Sequence, residues 1–289
     1  MEFLTLLIVL GLLQLWGSGG PFQRDSWFYR FSGIIKDRLP SPHLRLLVLV
    51  GIPALLVLAL QLFFHAVLFG LLSLMLYIAI LLFSLGRGDV SENLQRYLSA
   101  WNHGNFESAY EQALAIGDFE QSDAIGDHVS LHEHVRAAFL FEGFERWFAV
   151  VFWFLVLGPV GAVVYRLSYL SGRSDIIEPA DKLLALRFVH YLDWLPVRFL
   201  VISFSLTGNF VSGFQSFWQK IFDNQPSSEL LDACAVASIK GVDEQRVYPA
   251  DKEHFIEFGR QEMLALQSLL SRSVICWLVI IAMLTLFSG

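Results

Sequence analysis

Forty consecutive residues, Leu46 to Leu85, contain no Asp, Glu, Lys or Arg. A helix crossing a hydrocarbon core about 30 Å thick needs roughly 20 apolar residues at a rise of about 1.5 Å each. The run has the length of two crossings, a hairpin, with Gln61 and His65 at its middle where the chain must reverse and Pro53 placed to kink the first arm. His65 reads as a polar residue at headgroup level rather than a member of a proton relay.

The rest of the chain agrees with a lipid solvent. Of 289 residues, 55% are hydrophobic and only 16% charged, with a mean hydropathy of +0.54, which does not describe a surface that faces water. A formal net charge of −7 without a lysine-rich tract excludes the electrostatic footprint of a nucleic-acid binder. The two cysteines, Cys234 and Cys276, are far apart, so neither a disulfide framework nor a zinc knuckle is expected. The N-terminal stretch carries Glu2 where a secretory signal carries Lys or Arg, and Gly17 to Gly20 form a poor cleavage site, so it reads as a retained apolar helix.

Three further apolar runs follow, Trp147 to Val164, Leu195 to Val211 with Arg198 inside it, and Ser273 to Phe287. Lipid offers no partner to free backbone groups, so each is expected to be helical, the second tilted or re-entrant if it does not cross. The expected architecture is an all-α integral membrane protein, a polytopic bundle of four to six spans with helical cytoplasmic inserts. Its parts are an apolar helix and hairpin over residues 1–85, a polar insert over 86–146, a central membrane segment over 147–211, a second polar region over 212–272 and a terminal span over 273–289. With six spans, the segments 17–45, 86–146 and 212–272 share a side and carry fifteen Lys and Arg against four in 165–194, which makes that side cytoplasmic. The expected location is a bacterial inner membrane, crossed several times. Without a crossing at 195–211 the tally is nine against ten, and the rule gives no orientation.

The 86–146 insert holds eleven acidic residues. Its spacing predicts a helix, a turn after His103, and a second helix with Tyr110, Ala113 and Leu114 on one face. One such pair cannot bury a solenoid core, so it should pack on the membrane part. Residues 212–272 read as a helix, a loop around Gly241 to Asp251, and a helix from Lys252 leading into the last span.

Asp127, His128, His132, Glu133 and His134 cluster before the central span. His128 and His132 share a helix face at i, i+4, which makes them and His134 weak metal candidates, but the spacing is not that of a zinc protease and a hydrated helix face is the preferred reading. Glu142, Glu145, Arg146, Tyr165 and Arg166 flank the central span, where charges usually set depth by snorkelling. Asp193 and Arg198 bracket Pro196 within apolar surroundings, where an ionised group is costly unless paired or facing water. These seven are the candidate residues of a functional or ligand cavity. No phosphate-binding loop and no nucleophile elbow occurs.

The stretches FAVVFWFLVLGPVGAVVYRL, Phe148 to Leu167, and FVHYLDWLPVRFL, Phe188 to Leu200, resemble the paired hallmark of the AmpE family and its CobD/CbiB relatives, and the overall layout is similar along the whole chain. The relatives that build cobalamin join an aminopropanol-type amine to a corrinoid carboxyl, and share Phe152–Trp153, Tyr165–Arg166 and the Pro196 to Arg198 step. Where those enzymes carry Asn-Thr-Leu-Asp-Ser-Met, this chain has Tyr169, Leu170, Ser171, Gly172, Arg173 and Ser174. Where they carry paired aspartates it has Val189 and His190, with Asp193 at the position of their Asn. An amide synthetase needs such fixed polar groups to activate a carboxylate, so catalysis is not expected to be retained. The resemblance therefore implies a signalling modulator of β-lactamase induction and muropeptide recycling, without a cofactor. Its partners would be the bilayer and a muropeptide-related small molecule or a signalling protein. The small residues Gly158, Gly161 and Ala162 beside Pro159 would allow close helix packing, either within the chain's own bundle or in a homo-oligomer. The alternative it carries is a membrane-bound, cobinamide-phosphate synthase-like amide-forming enzyme using ATP or Mg. A small-molecule transporter ranks third, because no internal repeat is evident.

Overall fold

The computed structural model describes residues 1–16, 25–64, 70–86, 90–117, 128–174, 177–221, 225–240 and 251–288. His65, Asp127, Gly17 to Gly20 and the loop at 241–250 lie outside them. Among the described residues the regular structure is helical throughout, with no strand. The helices are α1 (Glu2–Trp16), α2 (Ser26–Arg38), α3 (Pro42–Phe64), α4 (Leu71–Ser84), α5 (Val90–Asn102), α6 (Phe106–Ala113), α7 (His128–Gly143), a π-helical turn (Phe144–Phe148), α8 (Ala149–Arg173), α9 (Pro179–Thr207), α10 (Phe210–Lys220), α11 (Ser227–Lys240) and α12 (Lys252–Ser288). Three helical stretches, Pro42–Phe64, His128–Arg173 and Lys252–Phe287, are long and apolar enough to cross a membrane, and Glu2–Gln14 and Leu71–Ser84 are shorter apolar helices. The fold class is the expected all-α membrane bundle. The chain divides into two compact units, Met1–Gly88 with Arg146–Pro196, and Asp89–Glu145 with Val197–Gly289.

In the first unit the apolar hairpin is present as α3 and α4, and both arms pack on α8. Leu49 and Val50 of α3 meet Val163, Leu167 and Leu170 in one buried cluster with Phe28 and Ile35 of α2. On α4, Tyr77 stands edge-on to Phe154, and just past its end Gly86 N–H donates to the Arg146 carbonyl at 2.9 Å. The two arms touch through Gln61, whose Nε2 donates to the Tyr77 hydroxyl at 2.9 Å.

The arrangement follows from a break in α8. Gly158 has φ 67° and ψ −157°, a conformation open only to glycine, and Pro159 next to it cannot donate to the preceding turn. The apolar segment expected at Trp147 to Val164 is helical on both sides of this point but is not one straight rod. Trp153 Nε1 donates to the Leu192 carbonyl at 3.2 Å and Tyr165 to Asp193 at 2.8 Å, so side chains twelve residues apart reach neighbouring residues of α9. On a straight helix they would stand about 18 Å apart. At the inside of the bend, a Cβ on Gly161 would collide with the Trp153 carbonyl.

The second unit contains the polar insert. The helical hairpin is where the sequence puts it. Gly104 turns the chain at φ 66°, and Asn105 caps α6 by accepting from Ser108 N–H at 3.1 Å. Its buried face is Ala109, Ala113 and Ile116 rather than the predicted Tyr110, Ala113 and Leu114, because α6 ends at Ala113 and the next turn points Leu114 outward. Trp101, fully buried, packs on Tyr97, Phe106, His132 and Phe255, and donates to the Ile256 carbonyl at 3.0 Å. Gly259 lets α12 approach that indole, since a Cβ there would lie 2.9 Å from it. The predicted helix from Lys252 does run without interruption into the terminal apolar stretch, giving one helix of 37 residues and about 55 Å.

Replacing Gly158 with Ala is expected to lower stability by about 1–3 kcal/mol, the cost of a side chain at such a backbone position. A lower melting temperature of the detergent-solubilised protein checks this, and a Gly51→Ala control, with open space at its Cβ position, should not shift.

Candidate functional site

α7 enters the second unit as an alternation of polar and apolar side chains, and the i, i+4 pair His132 and Arg136 turns one polar row inward. Arg136, 1% exposed, makes a two-pronged ion pair with Asp232 of α11, Nε to Oδ1 at 2.7 Å and Nη2 to Oδ2 at 2.9 Å. Its Nη1 donates to Glu262 Oε2 of α12 at 3.2 Å, and His132 Nε2 meets the same oxygen at 2.6 Å. Four titratable groups from three helices thus form one network, buried at His132, Arg136 and Glu262 and part-buried at Asp232. A planar guanidinium suits this geometry, because its fork can serve two carboxylates at once. Removing one member of such a pair leaves an uncompensated buried charge, at a cost of about 3–5 kcal/mol.

The histidines do not converge as metal ligands would. His132 is buried against Glu262, His128 lies flat on Phe106 at 5.2 Å, and the exposed His134 contacts the Ser130 carbonyl. The hydrated-face reading is therefore corrected at His132, because α12 and α11 cover that side of α7. Among the described residues no group of three or more His, Cys, Asp or Glu is arranged to hold a metal ion.

In the first unit the bend at Gly158 brings Tyr165 to Asp193, both buried, with the hydroxyl donating to Oδ1. Arg166 pairs with Asp25 at 3.7 Å, and both Arg166 and Arg173 lie over the Tyr169 ring, at 5.4 and 5.5 Å. Of the seven predicted cavity residues, Tyr165 and Asp193 are brought into direct contact. Arg146 offers its backbone carbonyl to Gly86, and Arg198, in the second unit, donates from Nη2 to the Ile221 carbonyl at 3.0 Å. Glu142 and Glu145, also in the second unit, are buried, as is Arg166 in the first, so none of these three snorkels. The residues that sequence reading missed are Arg136, Asp232, Glu262 and Asp25. Only the shared face of His132 and Arg136 hinted at them, since the partners lie some hundred residues away in sequence.

A part-buried set of charges completes the first unit. Arg45 of α3 bridges Glu178 and Asp181 at the start of α9, and Lys36 of α2 reaches Glu178 at 3.1 Å. The hydrogen bonds from Arg45 and Lys36 hold the Glu178 carboxyl below the ordinary carboxylate range, whereas burial pushes Asp181 up.

A family model described as "Regulatory signalling modulator protein AmpE" matches residues 1–289. The chain belongs to the AmpE family. The AmpE protein of Shigella flexneri is 26% identical over 225 residues, 72% of this chain and 75% of that protein. The cobalamin biosynthesis protein CobD of Chromobacterium violaceum is 28% identical over 151 residues, 50% of this chain. That match spans just under half, 47%, of the CobD length. No solved structure matches. The resemblance read from the Phe148 to Leu167 and Phe188 to Leu200 stretches is thus borne out for AmpE, with CobD as a more distant relation.

For this AmpE-family chain, Arg136→Met should destabilise by about 3–5 kcal/mol, and adding Glu262→Leu and Asp232→Leu should recover part of the loss, since an apolar replacement of a whole buried network is tolerated better than a broken one. Chemical unfolding in detergent micelles measures both. A depressed carboxyl contributes stability that is present above its unfolded value and lost as pH falls through its folded value; a raised one does the reverse. Glu178→Gln should therefore flatten the loss of stability on acidification, and Asp181→Asn should steepen it, in melting curves taken from neutral to acid pH.

Proposed function

We propose that this chain is a multi-pass inner-membrane signalling modulator tied to β-lactamase induction and muropeptide recycling. The observation that carries the proposal is the match of the entire chain to a family described as a regulatory signalling modulator. The geometry of the second unit supports it. α12 is both a wall of the polar helical subdomain, through Gly259 against Trp101 and Glu262 against Arg136, and an apolar helix whose last turns, with Ile275, Val279, Met283 and Leu286 exposed, suit lipid. A rigid helix that serves both media can pass a displacement from the bilayer to α7 and α11 without a flexible joint. The input would be a muropeptide-related small molecule or a signalling protein, and with six spans the Lys and Arg tally of fifteen against four favours a cytoplasmic location for the polar segments.

The match to CobD favours a second reading, amide bond formation at the membrane. Under it the Tyr165–Asp193 pair would be the polar centre, and ATP or Mg would be needed to activate a carboxylate. The missing polar strings at Tyr169 to Ser174 and at Val189 and His190 weigh against it.

Deletion of the gene should change induced β-lactamase or cellular muropeptide levels and leave growth without added cobalamin unaffected. A requirement for cobalamin with normal induction would reject the signalling reading in favour of the second. Arg136→Met should reproduce the deletion, while Asp193→Asn should leave induction at the level of the parent protein.

A further inference from the structure

The surface of α10 is divided into three sectors. At 100° per residue, Ser212, Gly213 and Ser216 form one face, Phe210, Val211, Phe214 and Trp218 a second, and Gln215 with Gln219 a third. The small face is the one docked on protein. A Cβ on Gly213 would lie 2.5 Å from Ser238 Oγ of α11 and 2.8 Å from Ser205 Oγ of α9, and Ser216 meets Cys234. The apolar face is uncovered, with Phe210 54%, Val211 69% and Trp218 57% exposed, and the glutamines beside it are exposed too. Its rings touch in series, Phe210 stacked on Phe214 at 5.5 Å and Phe214 edge-on to Trp218 at 5.8 Å, so they form one ridge rather than scattered side chains.

We infer that α10 is an in-plane membrane helix whose aromatic ridge inserts into the headgroup and acyl boundary while Gln215 and Gln219 face water. Two observations select lipid over a protein partner. Thr207 Oγ1 lies 3.2 Å from Ser273 Oγ of α12, and Ser273 directly follows Arg272 at the start of the apolar run to Phe287. The chain therefore enters α10 at the level where α12 passes from polar to apolar surroundings. An 11-residue helix is also only about 16 Å long, and one sector of it falls far short of the roughly 800 Å² per partner that holds a stable protein interface. An amphipathic helix with aromatic residues on one side and polar residues on the other suits the bilayer surface. Two contacts fix its pose: Asn209 N–H donates to the Ser238 carbonyl at 2.7 Å before the first turn, and Arg198 caps the far end through the Ile221 carbonyl. This aromatic surface deepens the proposed function by giving the second unit a contact sensitive to lipid packing.

The test uses the full chain, with Cys234 and Cys276 changed to Ser, in vesicles of phosphatidylethanolamine and phosphatidylglycerol. Single variants Val211→Cys, Gln215→Cys, Trp218→Cys and Gln219→Cys carry an environment-sensitive nitrobenzoxadiazole label. Quencher attached to lipid should reduce emission at 211 and 218 by roughly twofold or more relative to 215 and 219, and aqueous iodide should do the reverse. Iodide quenching at all four sites would overturn the proposal by placing the helix in water, and lipid quenching at all four by immersing it. Protection of 211 and 218 from both quenchers would overturn it by showing that protein covers the ridge. The reading depends only on membrane placement, so a normal β-lactamase response in the deletion strain would reject the signalling function and leave this result standing.

Discussion

Arg136 is a cation held out of water that satisfies two carboxylates from two different helices at once. A buried charge has a desolvation cost that only close, well-aligned partners offset, so none of its partners can leave without exposing the others to an unfavourable field. That condition makes α7, α11 and α12 a mechanical unit. The Trp101 cluster supplies apolar burial around it and Gly259 the close helix approach. The shared oxygen of Glu262 adds a polar tie between α12 and α7, because both His132 and Arg136 reach it.

The first unit answers a different constraint. Its helices are mostly apolar, so a break in the backbone is costly unless the freed groups find partners. Gly158 and Pro159 introduce such a break, and the polar side chains near it are gathered accordingly. A Cβ at Gly158 would lie 3.8 Å from Gln61, Gln61 donates to Tyr77, and the bend lets Trp153 and Tyr165 both reach α9. The Tyr165–Asp193 pair is a consequence of this bend.

Much of the architecture was legible from local rules. A run of forty residues without charge forced a hairpin, the Gly104–Asn105 turn ended one helix and capped the next, and the continuity of α12 followed from the absence of any proline after Lys252. What stayed hidden was non-local. Asp232 and Glu262 look like ordinary surface acids on amphipathic helices, and only folding shows that both face Arg136. Glu142, Glu145 and Arg166 sit at the ends of an apolar run, where snorkelling is the usual outcome, yet neighbouring helices bury them. The break at Gly158 was visible as a Gly-Pro step, but its direction depends on the packing of α8 against α3, α4 and α9, which lie elsewhere in the sequence.

The most direct test of the coupled α7–α11–α12 unit is hydrogen exchange by mass spectrometry on the Arg136→Met variant. The account predicts faster exchange in residues 227–239 and 255–265 together, by a common factor, with the first unit's α3 unchanged. Faster exchange confined to the α7 peptide, with α11 and α12 as protected as in the parent protein, would contradict it.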